Sequence, residues 1–204
     1  MGEEYLFMKN ISKSFGSVQA LVNVDLNVKL GTIHGILGEN GAGKSVLMKI
    51  LSGSVKNDFG SIYINGNNVH ITEPIDALKN GIVTIYQNVN LVDNITVAEN
   101  LFLGRLPRQR LLRLIQWKVV YAKANEIFSK LNFDIDPHQI VSNLNYTQKR
   151  MVEIAKALVN DVKILVLDEA HIGLSEYEEK NYLNVLKDLN LQGITIIYIS
   201  HNIE

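Results

Sequence analysis

"LGENGAGKSVLMKILSG", running from Leu37 to Gly53, decides how the rest of the chain is read. Gly38, Gly43, Lys44 and Ser45 stand in the order G-x-x-x-x-G-K-S, with a further glycine at Gly41. The preceding "TIHGIL" (Thr32 to Leu37) reads as a short strand, and the apolar residues that follow Ser45 predict a helix. A strand, a glycine loop and a helix are the context a phosphate-binding loop requires. Glycines let backbone N–H groups turn inward and approach phosphate oxygens without a Cβ in the way. A helix starting near Gly43 points its positive end at the anion. Lys44 supplies a point charge for the outer phosphates, and the Ser45 hydroxyl is a ligand for Mg²⁺. Gly38, Glu39, Asn40, Gly41, Ala42, Gly43, Lys44, Ser45 and Val46 are therefore the candidate nucleotide-phosphate cradle.

Composition sets outer bounds. The 204 residues suit one domain with an ordinary core. A hydrophobic fraction of 47% and a charged fraction of 20% are those of a soluble globular protein. A net charge of −1 gives no electrostatic support for binding nucleic acid. The absence of cysteine excludes disulfides and Cys-based zinc sites. The start, MGEEYLFMKN, is acidic and lacks the apolar stretch of a signal peptide. It also lacks the hydroxyl at position 6 that a myristoylation motif wants. No apolar run is long enough to span a bilayer, so a membrane would be reached through a partner.

Along the chain the signals change character. "SIYING" ends in Asn65-Gly66, a hairpin turn signal. Pro74 opens a short helix pattern that Gly81 closes, and "IVTIY" (Ile82 to Tyr86) reads as a buried strand. From about Leu91 the pattern becomes helical. Thr96 and Glu99 have capping-box spacing. Val120, Ala124, Ile127, Phe128 and Leu131 form one face of a helix over Trp117 to Leu131. A second helix is expected over roughly Gln148 to Leu158. Strands return in "VKILVLDE" (Val162 to Glu169) and "ITIIYIS" (Ile194 to Ser200), with a helix between them that Ser175 and Glu178 cap and Gly193 stops. This order predicts an α/β core carrying a helical insertion between about 90 and 160.

The strand "ILVL" delivers two carboxylates, Asp168 and Glu169, at its C-terminal end, where α/β folds place their sites. Alone it would equally read as a strand ending in two solvated acids. Beside a phosphate loop, Asp168 suits a water-mediated Mg²⁺ contact and Glu169 an attacking water.

At this point the chain resembles the ATP-binding domain of ABC transporters. It is similar above all to the first ATP-binding domain of monosaccharide importers of the ribose, xylose and galactose type. "GENGAGKS", "LMKILSG", "TVAENLFLGR", "MVEIAKAL" and "YISH" carry the likeness, which covers essentially the whole chain. It implies the α/β P-loop fold of ABC ATPases, in which a mixed central sheet carries an antiparallel β subdomain and a helical subdomain. It implies one such domain over residues 1–204. It places an adenine-stacking ring at Phe15, a sensor of γ-phosphate and metal at Gln87, and a switch histidine at His201. With Glu169 as general base, Glu169, His201 and Gln87 are the candidate catalytic residues. Ser45, Gln87 and Asp168 are the candidate Mg²⁺ ligands. ATP and Mg²⁺ follow as ligands. The implied partners are a second ATP-binding domain (in a homo- or heterodimer), transmembrane permease subunits and, indirectly, a sugar-binding protein, with no nucleic acid. The implied location is peripheral, on the cytoplasmic face of the cell membrane.

Four features depart from the family pattern. Val46 stands where a threonine hydroxyl usually meets the α-phosphate. The signature Leu-Ser-x-Gly-Gln, which closes over ATP held by a partner domain, falls on Leu144, Asn145, Tyr146, Thr147 and Gln148. Asn145 there reads equally as a helix cap. After Glu169 the usual Pro-Thr-Ala-Ala-Leu-Thr is replaced by Ala170-His171-Ile172-Gly173-Leu174-Ser175. Finally, the sequence stops after Glu204, where the family continues with more strand and helix and with a second ATP-binding domain. The leading expectation is a subunit that binds and hydrolyses ATP to power sugar import. The competing one is a degenerate or shortened module that binds ATP without hydrolysing it. The near-neutral charge weighs against a related ATPase of DNA repair or translation.

Overall fold

The computed structural model describes residues 4–107, 114–170 and 172–200. In chain order the elements are β1 (Glu4–Phe15), β2 (Val18–Lys29), β3 (Ile33–Leu37), α1 (Lys44–Leu51), β4 (Phe59–Ile64), β5 (Asn67–Val69), α2 (Pro74–Lys79) and β6 (Ile82–Ile85). They continue with α3 (Val97–Leu101), α4 (Trp117–Lys130), α5 (Tyr146–Leu158), β7 (Ile164–Asp168), α6 (Glu176–Leu191) and β8 (Thr195–Ser200). Two compact units result. One comprises residues up to Gln87, Val162–Glu169 and residues from Leu186 on; the other comprises Asn88–Asp161 and Ala170–Val185.

The first unit holds two four-stranded sheets. One is antiparallel with order β2-β1-β4-β5, and the other is parallel with order β3-β8-β7-β6. Alternation makes the first sheet one-sided: Leu6, Met8 and Ile11 of β1 are fully buried, while the residues between them are less so. The Asn65-Gly66 signal is the β4–β5 hairpin turn, as expected. Parallel strands need cover on both faces, and β7 has it: Ile164, Leu165, Val166 and Leu167 are all 0% exposed. β3 has one strand partner among the described residues, and its Ile33 and Leu37 side chains are exposed. The register brings the strand ends level, with Leu37 beside Ser200, Asp168 beside Ile199 and Ile85 beside Leu167. The loops leaving β3, β6 and β7 therefore emerge along one edge of this sheet.

The second unit is helical. α3 starts at the Thr96–Glu99 capping box, with both reciprocal bonds formed. α4 buries Val120, Ala124 and Phe128 along the predicted stripe. The fully buried Asn100 amide holds both backbone groups of Val92, at 2.8 and 2.9 Å. α5 begins at Tyr146 rather than at Gln148. The reason is Asn145, whose side chain accepts from the Gln148 N–H while the Gln148 side chain accepts from the Asn145 N–H. That reciprocal cap ends with the first helical turn immediately behind Asn145.

Candidate functional site

The phosphate loop sits between β3 and α1, as its sequence requires. Gly43 is the N-cap of α1, at φ 87. A Cβ there would meet Ala20 O at 2.8 Å and Leu21 Cδ2 at 2.7 Å, so both the backbone angle and the close approach of β2 demand glycine. Lys44 opens the helix and curls back over the loop, where its ammonium donates to the carbonyls of Gly38 and Glu39. Those carbonyls hold the side chain along the loop rather than out in water. Asn40 to Val46 line a cavity of about 260 Å³ together with Val18, Gln19, Ala20 and Glu169.

The two acids at the end of β7 differ in surroundings. Burial pushes the Asp168 carboxyl up, and the neighbouring Glu169 charge adds to this. Lys49, a hydrogen bond from Ser45 and Lys44 pull the other way. Glu169 faces the loop cavity from a backbone at φ 51, an uncommon angle for a residue with a side chain. Its N–H donates to Ile199 O at 3.2 Å, which helps hold the turn.

Phe15 ends β1 opposite Val18, itself a wall of the cavity. Its ring is 49% exposed, so it is a surface platform and not a core residue. The Lys13 ammonium lies 5.5 Å from the ring centroid. Asp58 fixes that ammonium at 2.6 Å and accepts the Ser14 N–H at 2.8 Å. The Lys13 bond, followed by the Ser14 N–H, holds the Asp58 carboxyl below the usual range. Sequence reading missed both supports. Lys13 was findable, because it lies two residues before Phe15 on one face of a strand; nothing local marks Asp58.

Gln87 is exposed, two residues beyond the end of β6. His201 and His171 lie outside the described residues. Among the described residues no group of three or more His, Cys, Asp or Glu could hold a metal. The Ser45 hydroxyl and Asp168 carboxylate are hard oxygen donors near enough for Ser45 to pull the Asp168 carboxyl down, and this set fits Mg²⁺.

Leu144 to Gln148 belong to the second unit. Asn145 caps α5 through its carbonyl oxygen. The Tyr146 hydroxyl donates to Ile172 O at 2.9 Å, and the Thr147 hydroxyl donates to Glu178. Glu178 also accepts from the Ser175 hydroxyl at 2.6 Å and the Ser175 N–H at 2.9 Å. The Ser175 hydroxyl, then Thr147 and the Ser175 N–H, lower its pKa to about 2. Between about pH 2 and the ordinary glutamate range, the unfolded chain binds the proton that the folded chain refuses. The Glu178 contribution to stability is therefore complete above the ordinary range and fades as pH falls. Glu178→Gln is expected to lower the melting temperature by a constant amount above about pH 5, with the gap closing toward pH 2. Thermal melts of both proteins across that range check it.

With this geometry in place, comparisons with known proteins become specific. Residues 21–171 match the ABC transporter family. The chain is 44% identical to the galactose/methyl galactoside import ATP-binding protein of Clostridium tetani over 201 residues, which are 98% of this chain and 40% of that protein. It is 45% identical to the xylose import ATP-binding protein of Thermoanaerobacter pseudethanolicus over 205 residues, 100% of this chain and 40% of that protein. The chain thus spans about 40% of the length of these curated relatives. Among solved structures, a nucleotide-free ATP-binding cassette from an ABC transporter superposes with a TM-score of 0.86 at 29% identity, covering 98% of this chain and 82% of that one. A dimeric ATP-binding cassette in a post-hydrolysis state, bound to ADP and Pi, superposes with a TM-score of 0.79 at 25% identity, covering 97% and 88%.

Proposed function

Because the chain belongs to the ABC transporter family, we propose that it binds ATP on the Lys44 loop and hydrolyses it to power sugar import through membrane-bound permease subunits. The observation that carries this reading is the glycine cradle over α1, with Lys44 curled along it and Glu169 on the wall of the same cavity. Backbone N–H groups and Lys44 bind the outer phosphates. Ser45, Gln87 and Asp168 would hold Mg²⁺. When bound, the ion neutralises charge on those phosphates. Phe15 stacks on the adenine, with Lys13 at its ring. Glu169 faces the cavity and takes the proton of the attacking water, while His201 helps to place that water.

The relatives named above are import ATP-binding proteins for galactose/methyl galactoside and xylose. A monosaccharide is therefore the transported substrate, chosen by a sugar-binding protein and the permease subunits. The dimeric ADP and Pi structure supports a second ATP-binding domain as partner. No described helix is long and apolar enough to cross a membrane, in keeping with a peripheral place at the cytoplasmic face.

A second reading is a domain that binds ATP without hydrolysing it. Val46 offers no hydroxyl, Asn145 spends its carbonyl on a cap, and Thr147 spends its hydroxyl on Glu178. The deciding test is calorimetric titration of MgATP into the purified chain, followed by phosphate release on mixing with a second ATP-binding domain. Micromolar-to-submillimolar binding supports both readings, and phosphate release selects the first. No uptake by a folded chain at millimolar ATP overturns both.

Val46→Thr is expected to tighten MgATP binding. One hydrogen bond to a charged group contributes about 1.5–3 kcal/mol, or roughly ten- to a hundredfold in affinity. Val46 packs on the core with one face and lines the loop cavity with the other, so the hydroxyl has the cavity side to occupy. The same titration checks it, and an unchanged affinity would show that this side chain does not meet the phosphates.

A further inference from the structure

Asn90 follows Gln87 by three positions, and Ile172 follows Glu169 by three. Inside the second unit a continuous chain of hydrogen bonds joins them. The Asn90 N–H donates to Glu153 Oε1 at 2.8 Å. Arg150 Nη1 donates to Glu153 Oε2 at 2.9 Å. Arg150 Nη2 and Nε donate to the Tyr146 oxygen at 2.7 and 3.2 Å. The Tyr146 hydroxyl donates to Ile172 O.

Three features make this more than a set of surface bonds. First, Arg150 is 0% exposed and Glu153 6%. Burying an ion pair is costly, and apolar residues of similar volume often serve stability as well or better. What the pair adds is fixed geometry. Burial also pushes the Glu153 carboxyl up, against the Asn90 and Arg150 bonds that hold it charged. Second, Tyr146, Arg150 and Glu153 stand at i, i+4 and i+7 on α5. They form one stripe about 10 Å long on a rigid helix. Third, Gly173 packs on the Tyr146 ring: at φ 92, a Cβ there would lie 3.2 Å from Tyr146 Cε1. Gly173 is thus seated on the ring whose hydroxyl bonds Ile172.

We propose that Tyr146, Arg150 and Glu153 are positioning residues that make the segment after Gln87 and the segment after Glu169 move as one. The proposal rests on the reading of Gln87 and Glu169 as parts of the nucleotide site. A displacement at Asn90 passes along the stripe to Ile172, within the second unit. The three side chains line no part of the Lys44 loop cavity; they act through the segments they hold.

Amide hydrogen exchange on the full chain tests this from both ends. Tyr146→Phe keeps the ring on Gly173 and removes the hydroxyl. It is expected to speed exchange at 172–175 and, at the far end, at the Asn90 amide, each on the order of tenfold. Glu153→Gln is expected to loosen 172–175 in return. If Tyr146→Phe loosens 172–175 and leaves Asn90 within about twofold, the bonds are local and the proposal falls. Uniform acceleration through α4 and α5 would reveal general destabilisation only, and would overturn it too. MgATP affinity is expected to stay within about twofold in Glu153→Gln, which lines no part of the loop cavity. Failure of the unmodified chain to take up MgATP would instead overturn the nucleotide reading, and with it the catalytic purpose of the relay, whatever the exchange result.

Discussion

Lys44→Ala is expected to weaken MgATP binding on the order of a hundredfold while leaving the fold intact. An ammonium about 4 Å from a phosphate oxygen near a protein surface gains about 4 kcal/mol. Lys44 must first leave the carbonyls of Gly38 and Glu39, which offsets part of that gain. A net loss of about 2–3 kcal/mol remains, on the order of a hundredfold in affinity. The fold should tolerate the change because both carbonyls belong to exposed residues and water can replace the ammonium. Calorimetric titration with MgATP, beside thermal melts, checks both halves. Binding within threefold of the unmodified chain would show that the ammonium does not reach the phosphates.

Glu169→Gln should separate binding from chemistry. A positioned base contributes about 10²–10⁴-fold to a proton-transfer step. Single-turnover phosphate release in the presence of a second ATP-binding domain is therefore expected to fall by at least a hundredfold. MgATP binding is expected to hold or tighten, because a negative charge leaves the cavity wall. The same change acts on Asp168, whose carboxyl Glu169 helps to push up. In the unmodified chain, protons compete for Asp168 above the ordinary aspartate range, so Mg²⁺-dependent binding weakens as pH is lowered into that window. Without the Glu169 charge the window should move to lower pH. Titrations of MgATP at several pH values measure the displacement. Undiminished phosphate release would remove Glu169 from the role of base.

The likeness carried by "GENGAGKS", "TVAENLFLGR" and "MVEIAKAL" extends to the family that residues 21–171 match. The cradle, the acids at the end of β7 and the reciprocal cap at Asn145 lie where the sequence puts them. The phosphate loop is legible because strand, glycine turn and helix are consecutive in the chain. Capping boxes are legible because their partners stand three residues apart. The periodic faces of β7 and α4 are legible because burial repeats with the element's own period.

The pairings that refine the site have no such local signature. Ser14 meets Asp58 across 44 positions, Thr147 meets Glu178 across 31, and Asn90 meets Glu153 across 63. "LNYTQ" read alone looks like a damaged signature. Only the folded chain shows that Tyr146 and Thr147 are engaged with residues 172–178. The upward push on Asp168 is likewise invisible in "LVLDE", since it comes from burial, which depends on what packs around the strand end. The sequence by itself thus determined the local chemistry, meaning which backbone turns, which side chains cap and which face is apolar. The tertiary structure alone decided which distant side chains share a hydrogen bond and how much water each charge keeps, because both depend on the chain closing on itself and not on its order.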